Sequence, residues 1–184
     1  EYLRQKTDFN PQDGPLSEVC ARLAGIPLAH DPGEQWTYSV SLDVLGRVIE
    51  VVSGQPLDQY FRENILEPLE MHDTFFEVPP EKKDRLTALY MKTDDEKLKL
   101  VETGEESLWA DPAKPVTCFS GGGGLVGSMA DYCKFVEMLR GQGQGANGAQ
   151  ILGARTVQLM ASNHLPGDIA AMGVESFAEV SFHG

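Results

Sequence analysis

The chain has 184 residues, long enough for one domain with a real hydrophobic core. Its net charge of −13, from 28 acidic against 15 basic residues, opposes nucleic acid and anionic membrane surfaces as partners. With 41 % hydrophobic residues the composition is that of a soluble globular protein, and no apolar run approaches the ~18 residues that a membrane span needs.

In chain order, residues 1–13 read as polar and irregular, with turn signals at Asn10-Pro11 and Asp13-Gly14. Leu16, Val19, Cys20 and Leu23 recur at helical spacing and predict a short amphipathic helix that ends at Gly25. Residues 26–30 are expected to be extended, and Asp31-Pro32-Gly33 is turn chemistry. Ser41 is expected to cap the next helix. On that helix Leu42, Leu45, Ile49 and Val52 share one face, and Val44, Val48 and Val51 form a second apolar row. A helix covered on most sides is therefore expected, stopped at Ser53-Gly54. Tyr38 stands about one turn ahead of it, at a corner where a polar side chain can be held firmly and still face a cleft.

Pro56 suits the first turn of a new helix whose apolar face is Leu57, Tyr60, Phe61, Ile65 and Leu66, ended by Pro68. Residues 71–78 read as a strand or extended piece stopped by Pro79-Pro80. Residues 85–91 and 97–101 can pair as a hairpin across the polar turn 92–95, and residues 102–117 read as loop. Ser128, with Asp131 three residues later, is a variant of the capping box and opens a helix with a buried face of Tyr132, Phe135, Val136 and Leu139. Residues 141–148 predict a mobile glycine- and glutamine-rich loop, and residues 151–162 a last helix. Residues 165–184 carry no firm pattern.

Several function classes lack their motifs. The three cysteines, Cys20, Cys118 and Cys133, are odd in number and widely spaced, which fits reduced thiols and a cytoplasmic location. The four histidines are scattered without ligand spacing, so no metal and no cofactor is expected. Four consecutive glycines, 121–124, are followed by no lysine, which argues against a phosphate loop. They read instead as a tight turn that lets backbone pass close to neighbouring structure. No Gly-x-Ser-x-Gly elbow is present. Trp36 and Trp109 read as packing residues, and the acidic run 102–106 as a solvated face.

Two segments in order carry a resemblance. Pro32-Gly33, then Trp36, then Tyr38-Ser39-Val40 and a capped apolar helix ending in Ser-Gly resembles the serine β-lactamase-like family. This family contains class C β-lactamases, D,D-peptidases and lactamase-like esterases. Ser120-Gly121-Gly122-Gly123-Gly124-Leu125, followed by Ser128 and Asp131, is similar to that family's Gly-Gly-Leu-x-Ser-x-x-Asp segment. The resemblance implies an α+β fold of which this is the largely helical centre, and acyl transfer from a small-molecule ester or amide to a serine and then to water. It implies that Tyr38 is the general base and that Val40, Gly121 and Gly122 line the substrate cleft. A phenol with a pKa near ~10 is only ~0.1 % ionised at neutral pH, so such a base needs cations worth ~4 kcal/mol beside it. The family supplies them as lysines of Ser-x-x-Lys and Lys-Thr-Gly.

Here the chain departs from the pattern. None of its serines has lysine three positions on, and Lys92-Thr93 is followed by Asp94 within a polar turn signal. The nucleophile and the third motif are therefore expected before Glu1 and after Gly184, which makes residues 1–184 a single partial domain, inert alone. Val40 stands where the lactamases keep asparagine; valine can neither donate nor accept a hydrogen bond, which favours a carboxylesterase. A β-lactamase or D,D-peptidase, or a non-catalytic scaffold, remain as alternatives.

Overall fold

The computed structural model describes residues 13–28, 30–32, 40–93 and 96–164. Its helices are α1 (Leu16–Leu23), α2 (Ser41–Ser53), α3 (Leu57–Phe61), α4 (Met129–Arg140) and α5 (Ala154–Met160). Its strands form two antiparallel pairs: β1 (Thr74–Phe75) with β4 (Val126–Gly127), and β2 (Leu89–Lys92) with β3 (Leu98–Glu102). The α+β class and the hairpin expected from the sequence are both present.

Two apolar clusters share one aromatic residue. In the first, Leu16 and Val19 of α1 meet Leu57, Phe76 and Cys118, with Ile49 of α2 and Phe61 packed against them. In the second, Met138 of α4 is fully buried among Leu66, Leu69 and Met71, with Phe61 again at the margin. Side chains buried to this degree stabilise the fold by about 1.5–3 kcal/mol each. Phe76 links Phe61, at 5.8 Å, to Phe119, at 5.3 Å and edge-on. Because Phe119 directly precedes Ser120, this aromatic chain fixes one end of the glycine turn.

The helix after Pro56 does not end at Phe61. It continues over Arg62–Leu66 with a wider turn, in which the Glu67 N–H donates to the Arg62 carbonyl at 2.9 Å. Gly54 terminates α2 in the left-handed conformation expected of it (φ 72°), closing onto the Glu50 carbonyl. Ser41 is the first helical residue and Val40 holds the capping position, without a side-chain cap, so the expected Ser41 cap is one residue out.

Four expectations are overturned, two of them by burial. Along α2, Leu42, Val44, Leu45, Val48, Val51 and Val52 are exposed, Val52 by 82 %, and the buried residues are Asp43 and Gly46. Among the described residues α2 packs on α1, α3 and the 120–124 turn, and of its two apolar rows only Ile49 reaches the first cluster. On α4, Tyr132 and Val136 are exposed, while Asp131 and Met138 take the buried positions. Residues 141–148 are not a loose loop: the Gly145 N–H donates to the Ala149 carbonyl, Ile151 and Leu152 both donate to Gly143, and Gln144 bridges Gln150. The last helix spans only Ala154–Met160, and Ile151 and Leu152 pack on the second cluster before it begins.

Candidate functional site

The glycine turn and the start of α2 are built into one unit, and the chemistry of their residues explains why. Asp43 lies in the first turn of α2, where a carboxylate suits the positive end of the helix. It is 5 % exposed, so it needs partners. The Ser120 hydroxyl donates to its Oδ1 at 2.5 Å, and the Gly122 N–H donates to the same oxygen at 3.3 Å. The Ser120 Oγ in turn accepts the N–H groups of Gly122 and Gly123, at 3.3 and 3.2 Å. The turn closes with the Gly124 N–H on the Ser120 carbonyl at 3.2 Å.

Glycine is required at the contact itself. A Cβ on Gly121 would sit 2.4 Å from the Leu42 carbonyl oxygen, and one on Gly122 would sit 2.9 Å from Asp43 Oδ2. Across the interface Gly46 returns the favour: a Cβ there would meet Leu57 at 2.9 Å and Leu16 at 3.3 Å. Mid-helix glycine costs about 1 kcal/mol relative to alanine, and here it leaves room for the Leu57 and Leu16 side chains.

A second buried carboxylate anchors the far end of the same segment. Ser128 caps α4 by accepting the Asp131 N–H at 3.2 Å, the half of the capping box that the sequence anticipates. The other half is absent. Asp131 turns instead to the β1 segment, accepting from the Asp73 N–H at 2.6 Å, from the Thr74 hydroxyl at 3.2 Å and from Lys134 at 2.9 Å. Burial pushes its carboxyl up, but the Lys134 bond and those of Asp73 and Thr74 outweigh burial and hold it below the ordinary value. Asp73 accepts from Arg85 and Lys82, which hold its own carboxyl well below the usual carboxylate range. The turn 120–124 is thus suspended between α2 on one side and the β1–β4 pair on the other.

Of the sequence-derived site residues, Gly121 and Gly122 lie directly against α2. Val40 is half-buried at its capping position, where its carbonyl accepts from Asp43 and Val44. Tyr38 lies outside the described residues. The residues that sequence reasoning missed are Asp43 and Ser120. Asp43 had one available signal, an acidic residue at a helix position flanked by apolar ones on both sides. Ser120 stands in the sequence only as the residue before four glycines. Among the described residues no cluster of histidine, cysteine and carboxylate groups could hold a metal ion. Cys20, Cys118 and Cys133 are free thiols.

The sequence and the fold are similar to those of known proteins. Esterase EstB of Burkholderia gladioli is 33 % identical over 138 residues, which cover 70 % of this chain and 35 % of that protein. Protein Rv1367c of Mycobacterium tuberculosis is 33 % identical over 145 residues, covering 79 % of this chain and again 35 % of the relative. The chain therefore spans about a third of the length of these relatives. Among solved structures, EstCE1, described as a hydrolase with promiscuous acyltransferase activity, superposes with a TM-score of 0.67 at 27 % identity. That match covers 91 % of this chain and 43 % of EstCE1. A putative β-lactamase from Bacteroides dorei shares the fold, with a TM-score of 0.56 at 22 % identity. The model of the Beta-lactamase family matches residues 2–177, nearly the whole chain, and the chain belongs to that family.

Proposed function

We propose that this chain is the central part of a serine hydrolase, most simply a carboxylesterase, that transfers an acyl group from a small-molecule ester to a serine and then to water. The observation that carries this reading is the clamp of the 120–124 turn onto the first turn of α2. It brings together the two segments whose motifs the family uses, although they stand 77 residues apart in sequence. In this reading Tyr38, two residues before Val40, is the general base, and Gly121 and Gly122 form part of the cleft wall.

The nucleophile is a serine supplied by a segment other than these 184 residues, where no serine has lysine three positions on. Lysines from such segments bring the positive charge that lets a phenol accept a proton near neutral pH. The tyrosine takes the serine proton during attack on the ester carbonyl and returns it to the departing alkoxide, and the acyl-enzyme is then hydrolysed. Val40 offers a β-lactam side chain no hydrogen bond, which supports the esterase over a lactamase or D,D-peptidase. The names of EstB and EstCE1 support it too.

Acyl transfer to an acceptor other than water is a second reading. A monacolin J acid methylbutanoyltransferase of Aspergillus terreus is 40 % identical over 60 residues, a third of this chain. The test uses the intact protein that carries this chain, offered a short-chain nitrophenyl ester and a coloured cephalosporin, with and without an added alcohol. Ester turnover with no cephalosporin turnover supports the esterase. The reverse supports the lactamase, and an alcohol-dependent gain in acyl transfer supports the second reading. Tyr38→Phe is expected to lower ester turnover by ~10²–10⁴, and near-parental rates would sink the assignment of the base.

A further inference from the structure

We infer that Asp43 and Ser120 are positioning residues of this hydrolase: together they form a latch that sets the glycine turn against the segment leading out of Tyr38. The inference rests on the functional reading above and extends it to two residues that neither the motif nor the family comparison assigns. Its first support is burial. A carboxylate that is 5 % exposed in the first turn of a helix costs several kcal/mol unless it is bonded. Asp43 instead spends its Oδ1 on a turn far away in sequence.

The second support is connectivity. Ser120 is both donor and acceptor: it gives its proton to Asp43 and takes the N–H groups of Gly122 and Gly123. The hydroxyl is therefore the hub through which the backbone of the turn is oriented. Asp43 is three residues past Val40, whose carbonyl accepts its N–H at 3.1 Å, and Tyr38 precedes Val40 by only two residues. Two residues of chain span at most about 7 Å, so Tyr38 is tied by the chain itself to the end of α2 that the turn holds. The third support is steric. Gly121 lets the Leu42 carbonyl approach to a distance no other residue would allow, so the latch works at a contact with no spare room.

A latch of this kind predicts losses in turnover rather than in substrate binding. In the intact protein, Ser120→Ala should lower kcat on a nitrophenyl ester about tenfold or more, with KM changed less than about threefold. The same variant should speed amide hydrogen exchange in the fragment containing Gly122 and Gly123, with exchange in α4 unchanged. Asp43→Ala should behave likewise, Asp43→Asn should recover most of the lost kcat because its amide oxygen still accepts, and the double variant should be no worse than the poorer single one. Unchanged exchange at Gly122 and Gly123 in Ser120→Ala would overturn the latch whatever the activity. Faster exchange with kcat within twofold of the parent would overturn its positioning role. Loss of activity matched by loss of folded protein, with kcat per folded molecule intact, would also overturn it. A parent protein that turns over no ester would overturn the functional reading and the positioning role together, while the exchange result would still report on the latch.

Discussion

Gly121→Ala and Gly123→Ala make the same chemical change two residues apart, and the structure gives them opposite outcomes. At Gly121 the new methyl would lie 2.4 Å from the Leu42 carbonyl oxygen and 3.2 Å from its carbon. Ordinary contact begins near 3.4 Å, so the turn and α2 must separate by about 1 Å along a direction where both sides are backbone. Overpacking of that size costs about 1–3 kcal/mol. Replacing glycine also restricts the unfolded chain, which offsets about 0.4–1 kcal/mol where the native backbone is compatible. The net expectation is a loss of about 1–2 kcal/mol. At Gly123 nothing lies within 4 Å of the added methyl, so only the unfolded-state gain remains, between zero and about 1 kcal/mol. The assay is urea unfolding of the intact protein and both variants, followed by circular dichroism, with the midpoint compared at constant m. Equal midpoints for the two variants, or a less stable Gly123→Ala, would refute the close approach of the turn to α2.

The remaining predictions concern the groups around the site. Asp131→Ala leaves the Asp73 N–H and the Thr74 hydroxyl without their acceptor and Lys134 without its carboxylate, with only the Glu70 carbonyl left to it, a loss of about 2–4 kcal/mol in urea unfolding; Asp131→Asn, which keeps one acceptor, should lose less. Asp131 and Asp73 both titrate below their ordinary value, so their stabilisation is complete above the unfolded carboxylate pKa of about 3.9 and is lost as pH falls toward the folded value. Asp73→Asn and Asp131→Asn should therefore flatten the fall in the urea midpoint between pH 6 and pH 3, and an unchanged slope would count against these bonds. Burial pushes the Cys118 thiol up to about 11. From its thiolate fraction alone, iodoacetamide at pH 8 should modify it about two orders of magnitude more slowly than an ordinary thiol near 8.5, by peptide mapping before and after unfolding.

How much of this was legible beforehand differs from residue to residue. The helix stop at Gly54, the cap at Ser128, the β2–β3 hairpin and the glycine turn follow from local chemistry, because each depends on residues within a few positions of one another. The apolar rows of α2 show where local reading ends. Leu42, Leu45 and Val52 declare a face that prefers to leave water, but not which element covers it, and among the described residues none does. Tyr132 and Val136 show the same on α4, where Met138 takes the core position instead. Residues 141–148 looked loose because glycine and glutamine carry no packing signal; backbone hydrogen bonds tie them down.

Asp43 and Ser120 mark the boundary most sharply. In sequence one is an acid inside an apolar helix and the other a serine before four glycines, and nothing local joins them. By itself the sequence determined most of the helices and the hairpin, the family motifs and the absence of a Ser-x-x-Lys among these residues, since those are properties of neighbours along the chain. Only the tertiary structure decided that a buried carboxylate and a hydroxyl 77 residues apart share one proton's bond. That pairing forms because desolvating the carboxylate is costly until a distant donor reaches it, and the glycines leave just enough room for the backbone to come that close.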